Sequence, residues 1–400
     1  MNRLELLAPA GNMTKLKTAL HFGADAVYCA YKKFGLRAYA DNFSEKELVE
    51  AVKLTHLKGK KIYITVNIFA DNSDFLELKE FLQYLEEINV DGIIVSDLGV
   101  ISFAKKYAPK LNIHISTQAN ITNKYSIETY KDMGASRVVV ARELSLEKIK
   151  EIHDYIQDSI ELEAFIHGAM CISYSGRCLL SAYLTGRDSN RGECVQACRW
   201  EYKLLESSRQ DSPLEIDEDE RGTYILNSKD MNTMPILDQV IQSGITSMKI
   251  EGRMKSEYYV GCVVNAYRRR IDDILSGKHY DKTLNDELFK VKHRSYTTGF
   301  YLGQPEQNYE TSQPENGYKF VASVLGYDKD KSMVIVEMRN RFEEGEELEI
   351  VSKNGLFTLT PNKIYDAEGN RVTDCKLVQQ VLYIPTELPL EEFDMLRKKI

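Results

Sequence analysis

Four hundred residues carry 52 Lys and Arg against 60 Asp and Glu, a net charge of −8, with 43% hydrophobic and 10% aromatic residues. That composition excludes fibrous and disordered classes, and it weakens any model in which the whole surface binds nucleic acid, since phosphate contacts need concentrated Lys and Arg. No apolar run reaches the roughly 18–20 residues that span a bilayer, and no basic, long-apolar signal sequence opens the chain, so a cytoplasmic protein with no membrane association is expected.

In chain order, β-branched runs at residues 5–8, 26–29, 62–69, 92–96, 113–116, 137–141, 162–167 and 247–251 predict eight strands. Amphipathic helices are predicted between them, at 13–21, 45–57 after Ser44, 74–88, 100–107, 126–133, 146–156 after Ser145, and 234–243. Eight strands alternating with helices point to a parallel, closed (β/α)8 barrel of the TIM type over residues 1–276, sealed by a helix at 258–275. Strand starts lie about 20 to 37 residues apart, except that 85 residues separate the seventh from the eighth. The excess, residues 168–228, follows the seventh strand directly and should emerge on the catalytic face. Within it, 201–205 and 223–227 read as a hairpin whose tip, Glu215–Glu220, is acidic and reads as a solvated loop. Residues 277–316 read as a linker or extension. Period-two runs at 319–324, 333–338, 347–351 and 377–384 predict a small antiparallel β-barrel over 317–400.

Parallel barrel strands are normally apolar on both faces, so polar residues on one phase are informative. Glu163, Phe165 and His167 share a phase in the seventh strand, and Lys249 and Glu251 do so in the eighth. His114, Ser116 and Gln118 follow the fifth, and Tyr63, Thr65 and Asn67 the third. These polar side chains should face inward near the upper rim. Buried charges are paired or used, so Glu163, His167, Lys249 and Glu251 form either an ion-pair network or a catalytic site, with Asn67 and Gln118 beside it. Arg142 and Arg253, just past the sixth and eighth strands, should sit on the same rim, as a fork for a small anion or as structural ion pairs.

Seven cysteines, an odd number, argue against a disulfide framework. Cys171, Cys178, Cys194 and Cys198 fall within the insertion as C-x6-C-x15-C-x3-C. No pair has the C-x2-C spacing of zinc ribbons, and a 4Fe-4S cluster suits four thiolates of varied spacing; zinc and unliganded thiols stay open. Cys262 and Cys375 read as buried or surface residues, as does Cys29, although Cys29 ends the second strand at the rim.

The stretch EAFIHGAMCISYSGRCLLS at 163–181 resembles the signature of the collagenase-like peptidase family U32. LLAPAG at 6–11, KIEGRMK at 249–255 and RSYTTGF at 294–300 support it, and the resemblance spans essentially the whole chain. Within that family, chains with a C-terminal β-domain imply 5-hydroxylation of the wobble uridine of tRNA with prephenate as the oxygen donor. They also imply a 4Fe-4S cluster on Cys171, Cys178, Cys194 and Cys198. Other members imply hydroxylation of a ribosomal cytidine or a role in ubiquinone synthesis, and the family label implies a protease.

The residues give hydrolysis little support: neither G-x-S-x-G nor H-E-x-x-H occurs, and a cluster ligand would be unavailable to pair with His167 as a nucleophile. For RNA, Arg177, Arg187, Arg191 and Arg199 stud the cysteine loop, Arg268, Arg269 and Arg270 end the last barrel helix, and Arg294 precedes Tyr296, Phe300 and Tyr301. Arginines mixed with aromatics suit a splayed single strand and an extruded base; each group alone also reads as a solvated face. The expectation is an RNA-modifying enzyme that binds tRNA and a small anionic donor, with an electron-transfer or maturation partner. A hydrolase and a non-catalytic RNA-binding Fe-S protein are the alternatives.

Overall fold

The computed structural model describes residues 4–36, 41–200, 228–305 and 317–400. The eight expected strands are β1 (Glu5–Pro9), β2 (Ala26–Cys29), β3 (Lys61–Val66), β4 (Gly92–Val95), β5 (Ile113–Ile115), β6 (Ala135–Val139), β7 (Glu161–Ala169) and, after a short strand β8 (Asp230–Asn232), β9 (Ser247–Ile250). Consecutive barrel strands pair in parallel, and β9 pairs with both β7 and β1, which closes the barrel. Helices α1 (Met13–His21), α2 (Glu45–Leu57), α3 (Phe75–Glu87), α4 (Leu98–Tyr107), α5 (Lys124–Asp132), α6 (Leu146–Ile156), α8 (Leu237–Gln242) and α9 (Glu257–Leu275) follow the strands; α7 (Leu180–Thr185) lies in the insertion. Their starts are written locally. Asn12, Asp97, Asn123, Ser145 and Ser256 each accept a hydrogen bond from the backbone N–H three residues on, and Ser44 with Glu47 forms a capping box.

The two phases of the strands separate as their composition requires. Leu6, Val27, Ile62, Ile64, Ile93, Ile113, Leu162, Ala164 and Met248 join the large core beneath the helices. A separate small cluster of Leu7, Ala26, Tyr28, Tyr63 and Ile94 lies inside the barrel. Cys29 belongs to the outer core, which removes it from the rim.

The hairpin expected at 201–205 and 223–227, with its acidic tip, lies outside the described residues. The chain returns through β8, which runs antiparallel to the upper end of β7, His167 opposite Asn232 and Ala169 opposite Asp230. The segment read as a linker supplies α10 (Thr283–Leu288) and β10 (Tyr296–Thr297), which pairs with β8, and it buries Leu284, Leu288, Val291 and Tyr301 in the barrel core.

Antiparallel strands follow: β11 (Tyr318–Asp328), β12 (Met333–Met338), β13 (Phe342–Glu343), β14 (Leu348–Ser352), β15 (Gly355–Leu359), β16 (Asp374–Cys375), β17 (Val381–Pro385) and β18 (Met395–Lys399). Six of them form one sheet in the order β15-β14-β18-β11-β12-β17, and β13 pairs with β16 as a separate ribbon. This sheet has its own core, including Val324, Val336, Ile350 and Leu382, and rests on the barrel through α9 and α10. Tyr258 stacks on Phe320 with ring centroids 5.2 Å apart, and Asn265 Nδ2 donates to the Ser352 carbonyl at 3.1 Å. No described helix is long and apolar enough to cross a membrane.

Candidate active site

At the bottom of the barrel interior, strands β1, β3, β6, β7 and β9 each contribute a polar side chain to one buried network. Arg137 Nη1 donates to Glu5 Oε1 and to Glu163 Oε2 at 3.1 Å, and Arg137 Nη2 donates to Glu161 Oε2 at 2.6 Å. Tyr63 donates its hydroxyl to Glu5 at 2.7 Å. Lys249 Nζ completes the layer, 2.8 Å from Glu163 Oε1, with its ammonium 4.6 Å from the centre of the Tyr28 ring. Burial alone would raise the Glu163 carboxyl, but the charges of Lys249 and Arg137 outweigh it and hold it below its ordinary range. Glu163 and Lys249 therefore realise the ion-pair network foreseen for them. Arg137 and Glu5 are not among the sequence-predicted members, although Arg137 lies mid-strand in β6 on the inward phase.

Lys249 differs from Glu163 in also lining a cavity. The barrel mouth holds a polar space of about 90 Å³ walled by Lys249, Glu251, Arg253, Arg142, Asn67 and Gln118, with Tyr28, Thr65, Ser116 and Phe165 among its other neighbours. Arg253 Nη1 donates to Thr65 Oγ1 at 3.0 Å. Arg142 lies over the Phe165 ring and donates to the Ala169 carbonyl at 3.2 Å. Asn67 Oδ1 and Gln118 Oε1 are buried acceptors without a donor among the described residues, so the space is suited to a ligand that brings hydrogen-bond donors as well as negative charge. Six of the residues expected at the rim are thus brought together.

The histidines are not. His114 sits in the lower layer, edge-on to Tyr63 at 4.5 Å, and burial together with the charge of Arg137 keeps it well below the usual imidazole range. His167 leaves the inward phase because β7 slips register against β9 between Phe165 and His167. The slip turns the Ile166 carbonyl outward to accept from Thr233 Oγ1 at 2.9 Å and Tyr267 OH at 3.0 Å. His167 then packs among Tyr259, Tyr267 and Tyr296, where burial lowers its pKa to about 3. Among the described residues it lines no cavity with Cys171, so a Cys-His nucleophile pair is not assembled.

Above the mouth lies a larger chamber of about 440 Å³. Cys171, Cys178, Cys194 and Cys198 all line it, and it shares Gln118, Arg142 and Glu251 with the space below. Cys198 is raised by burial, then lowered by Arg199, then raised again by the charges of Cys171, Cys194 and Cys178, which places the four thiols within electrostatic reach of one another. Backbone N–H groups of Leu180 and Gln196 donate to the sulfurs of Cys178 and Cys194 at 3.3 and 3.4 Å, the kind of bond that supports a thiolate ligand. A single tetrahedral zinc would draw its sulfurs to about 3.8 Å from one another, given Zn–S bonds of about 2.3 Å. Among the described residues no group of three or more His, Cys, Asp or Glu is placed to hold a metal ion. Four thiols nevertheless line one chamber, which is the number of protein ligands that a 4Fe-4S cluster takes.

The loop is pinned to the mouth. Glu143 accepts from Ser175 N and Oγ, Asn190 bridges the Cys178 backbone, and Arg177 Nε donates to the Gln118 carbonyl at 2.7 Å. Arg191 is clamped by Asp74, at 2.9 and 3.0 Å, and by the Phe69 carbonyl. It is a structural tie; Arg187 is exposed, and Arg294 lines the thiol chamber, 3.5 Å from Asp230. Arg268 and Arg270 do not surround the mouth. Helix α9 runs away from it, and these two pair with Asp25 and Asp238 towards the opposite end.

Four glycines of the conspicuous sequence stretches meet here. A Cβ on Gly11 would lie 2.4 Å from the Arg253 carbonyl oxygen, on Gly168 2.5 Å from that of Glu251, and on Gly176 2.8 Å from Gln118. Gly252 lies as close to Tyr259. At Gly11 and Gly168 segments far apart in sequence thus meet at the mouth backbone to backbone, while Gly176 and Gly252 are crowded by side chains.

Residues 11–311 match the family model for peptidase family U32, and residues 316–397 match that family's C-terminal domain. The chain belongs to peptidase family U32. Across 98% of its length it is 40% identical to tRNA hydroxylation protein P1 of Bacillus subtilis, of which the match covers 94%. It is 34% identical to tRNA hydroxylation protein P of Escherichia coli, over 98% of this chain and 95% of that one. It is also 32% identical to a collagenase of Porphyromonas gingivalis, over 76% of this chain and 75% of the other. Family U32 thus contains both an RNA-hydroxylation and a protease name.

Proposed function

We propose that this chain is an RNA-modifying enzyme that replaces C5–H by C5–OH in the wobble uridine of tRNA. The observation that carries the reading is that a chamber walled by four cysteines shares Gln118, Arg142 and Glu251 with a cationic, donor-seeking space at the barrel mouth. Full-length similarity to relatives named for tRNA hydroxylation supports the choice of RNA. In this reading Cys171, Cys178, Cys194 and Cys198 hold a 4Fe-4S cluster, which supplies redox or Lewis-acid chemistry when bound.

The protein's own part is positioning. Lys249, Arg142 and Arg253 hold a small anionic oxygen donor of the prephenate type, with its hydroxyl hydrogens directed to Asn67 and Gln118. Glu251, at the junction of the two spaces, is placed to move a proton at the base. Glu163, 2.8 Å away, aims the Lys249 side chain, so Lys249 acts as an anion clamp. The exchange is a two-electron oxidation of the base, so the donor or a partner protein must take up the electrons. The protease reading lacks a comparable arrangement, because His114 and His167 are both sequestered.

Nucleoside mass spectrometry of tRNA from cells deprived of this gene and of any paralogue tests the proposal. Loss of 5-hydroxyuridine derivatives, restored by the wild-type gene and not by Cys178→Ser, is expected. Unchanged wobble nucleosides would defeat it. Anaerobically purified wild-type protein should be brown and retain iron and sulfide, whereas a colourless protein loaded with zinc would remove the cluster from the reading.

A further inference from the structure

The insertion turns a different chemistry outward from the one it turns inward. Leu179, at the N-cap position of α7, and Tyr183 on that helix are 76% and 87% exposed, and Trp200, the sole tryptophan of the chain, is 43% exposed. Ser181 ties α7 to the segment bearing Cys194 and Cys198, donating to the Arg187 carbonyl and accepting from Val195 N. The exposed stripe is therefore held at the edge of the thiol chamber. Inside that chamber, Arg142, Arg199, Lys255 and Arg294 stand against two carboxylates, Asp230 and Glu251. Arg294 Nε is buried without a hydrogen-bond partner among the described residues. Residues 170–200 carry four arginines against Asp188 and Glu193, a local positive excess in a chain of net charge −8.

We propose that this face is the docking surface for single-stranded RNA. Bases stack on Tyr183 and Trp200, and a backbone phosphate is held by Arg199, Lys255 and Arg294, so that the nucleotide between them is delivered into the thiol chamber. The inference rests on the RNA reading above and adds where the strand lies. Rigid aromatic surface bordered by cations favours bases and phosphates over an apolar protein partner.

The test titrates the intact, cluster-loaded chain with a fluorescent, unmodified anticodon stem-loop at several salt concentrations. Tyr183→Ala should bind roughly tenfold more weakly with an unchanged salt slope, since stacking carries no counterion release. Lys255→Gln and Arg294→Gln should each flatten the plot of log affinity against log salt by about 0.7. Trp200 fluorescence should change on saturation with RNA. Wild-type iron and sulfide contents confirm that each variant is folded. Unchanged affinity in Tyr183→Ala overturns the proposal. With a lowered unfolding temperature, that result makes the stripe an internal packing face. With modification lost only in cells, it makes the stripe a protein partner's face. A wild-type chain that binds no tRNA sinks the RNA reading itself, an outcome separate from any behaviour of the variants.

Discussion

Glu163 has no exposed surface, yet two cations hold its charge in place. Glu163→Gln removes the countercharge of Lys249 while Arg137 keeps Glu5 and Glu161, so a loss of about 3 kcal/mol of stability is expected at neutral pH. The pH dependence has a definite sign. A carboxyl held below its ordinary value stabilises the fold above the unfolded pKa of about 4.3, and that contribution is lost as pH falls through the lower folded value. Urea unfolding should therefore show the gap between wild type and Glu163→Gln beginning to narrow as pH falls through about 4.3 and continuing to close towards the lower folded value. His167 makes the opposite case. The unfolded chain takes up this proton from about pH 6.5 downward, while the folded imidazole refuses it until about 3. The fold loses stability across that window, by several kcal/mol at its acid end. His167→Phe should flatten this part of the stability profile between pH 6.5 and 3, and an unaltered profile would show that the ring is not the group responsible.

Strand β7 shows what periodicity can and cannot reveal. Alternation put Glu163, Phe165 and His167 on one face, and the first two do point inward, Glu163 to the ion-pair layer and Phe165 to the mouth. The register slip at Ile166 breaks the alternation before His167, and nothing in the residue types marks it, because the cause is tertiary: Thr233 and Tyr267 compete for the Ile166 carbonyl. The motif glycines were visible as letters, but their partners were not. Gly168→Ala would combine a backbone of φ +109° with a 2.5 Å approach to the Glu251 carbonyl. Gly59 has φ +66° and open space around an added Cβ. Gly59→Ala should therefore cost about 1 kcal/mol from backbone strain alone. Gly168→Ala should cost about 2 kcal/mol more and displace Glu251. Comparing the two unfolding free energies measures the wider φ and the close approach together; equal losses would mean that the loop yields freely.

At the scale of the whole molecule, strand count and the long gap after the seventh strand located the mouth, because barrel topology ties sequence order to one face. The junction with the C-terminal sheet was not legible. Residues Glu287 and Lys290 fall in a stretch that reads as a polar linker, and Arg397 falls in the strand β18 (MLRKK), which lies outside the period-two runs read from the sequence. In the fold Arg397 has no exposed surface. It donates to Glu287 at 2.6 Å and to Glu349 at 2.7 Å, while Lys290 pairs with the same two carboxylates at 2.9 Å. Charges of alternating sign thus bridge α10 and β14, and sequence patterning cannot pair groups about 60 to 110 residues apart. Arg397→Ala strands Glu287 against Lys290 alone and should cost about 3–5 kcal/mol, the usual penalty for breaking a buried pair from one side. Replacing both partners, as Arg397→Met with Glu287→Leu, removes the stranded charge and should recover much of the loss. If the junction couples the two cores, chemical unfolding of the full chain changes from one transition in the wild type to two in Arg397→Ala, with the C-terminal sheet melting separately. A single transition at an unchanged midpoint in Arg397→Ala would show that Tyr258, Phe320 and Asn265 carry the coupling without the charges.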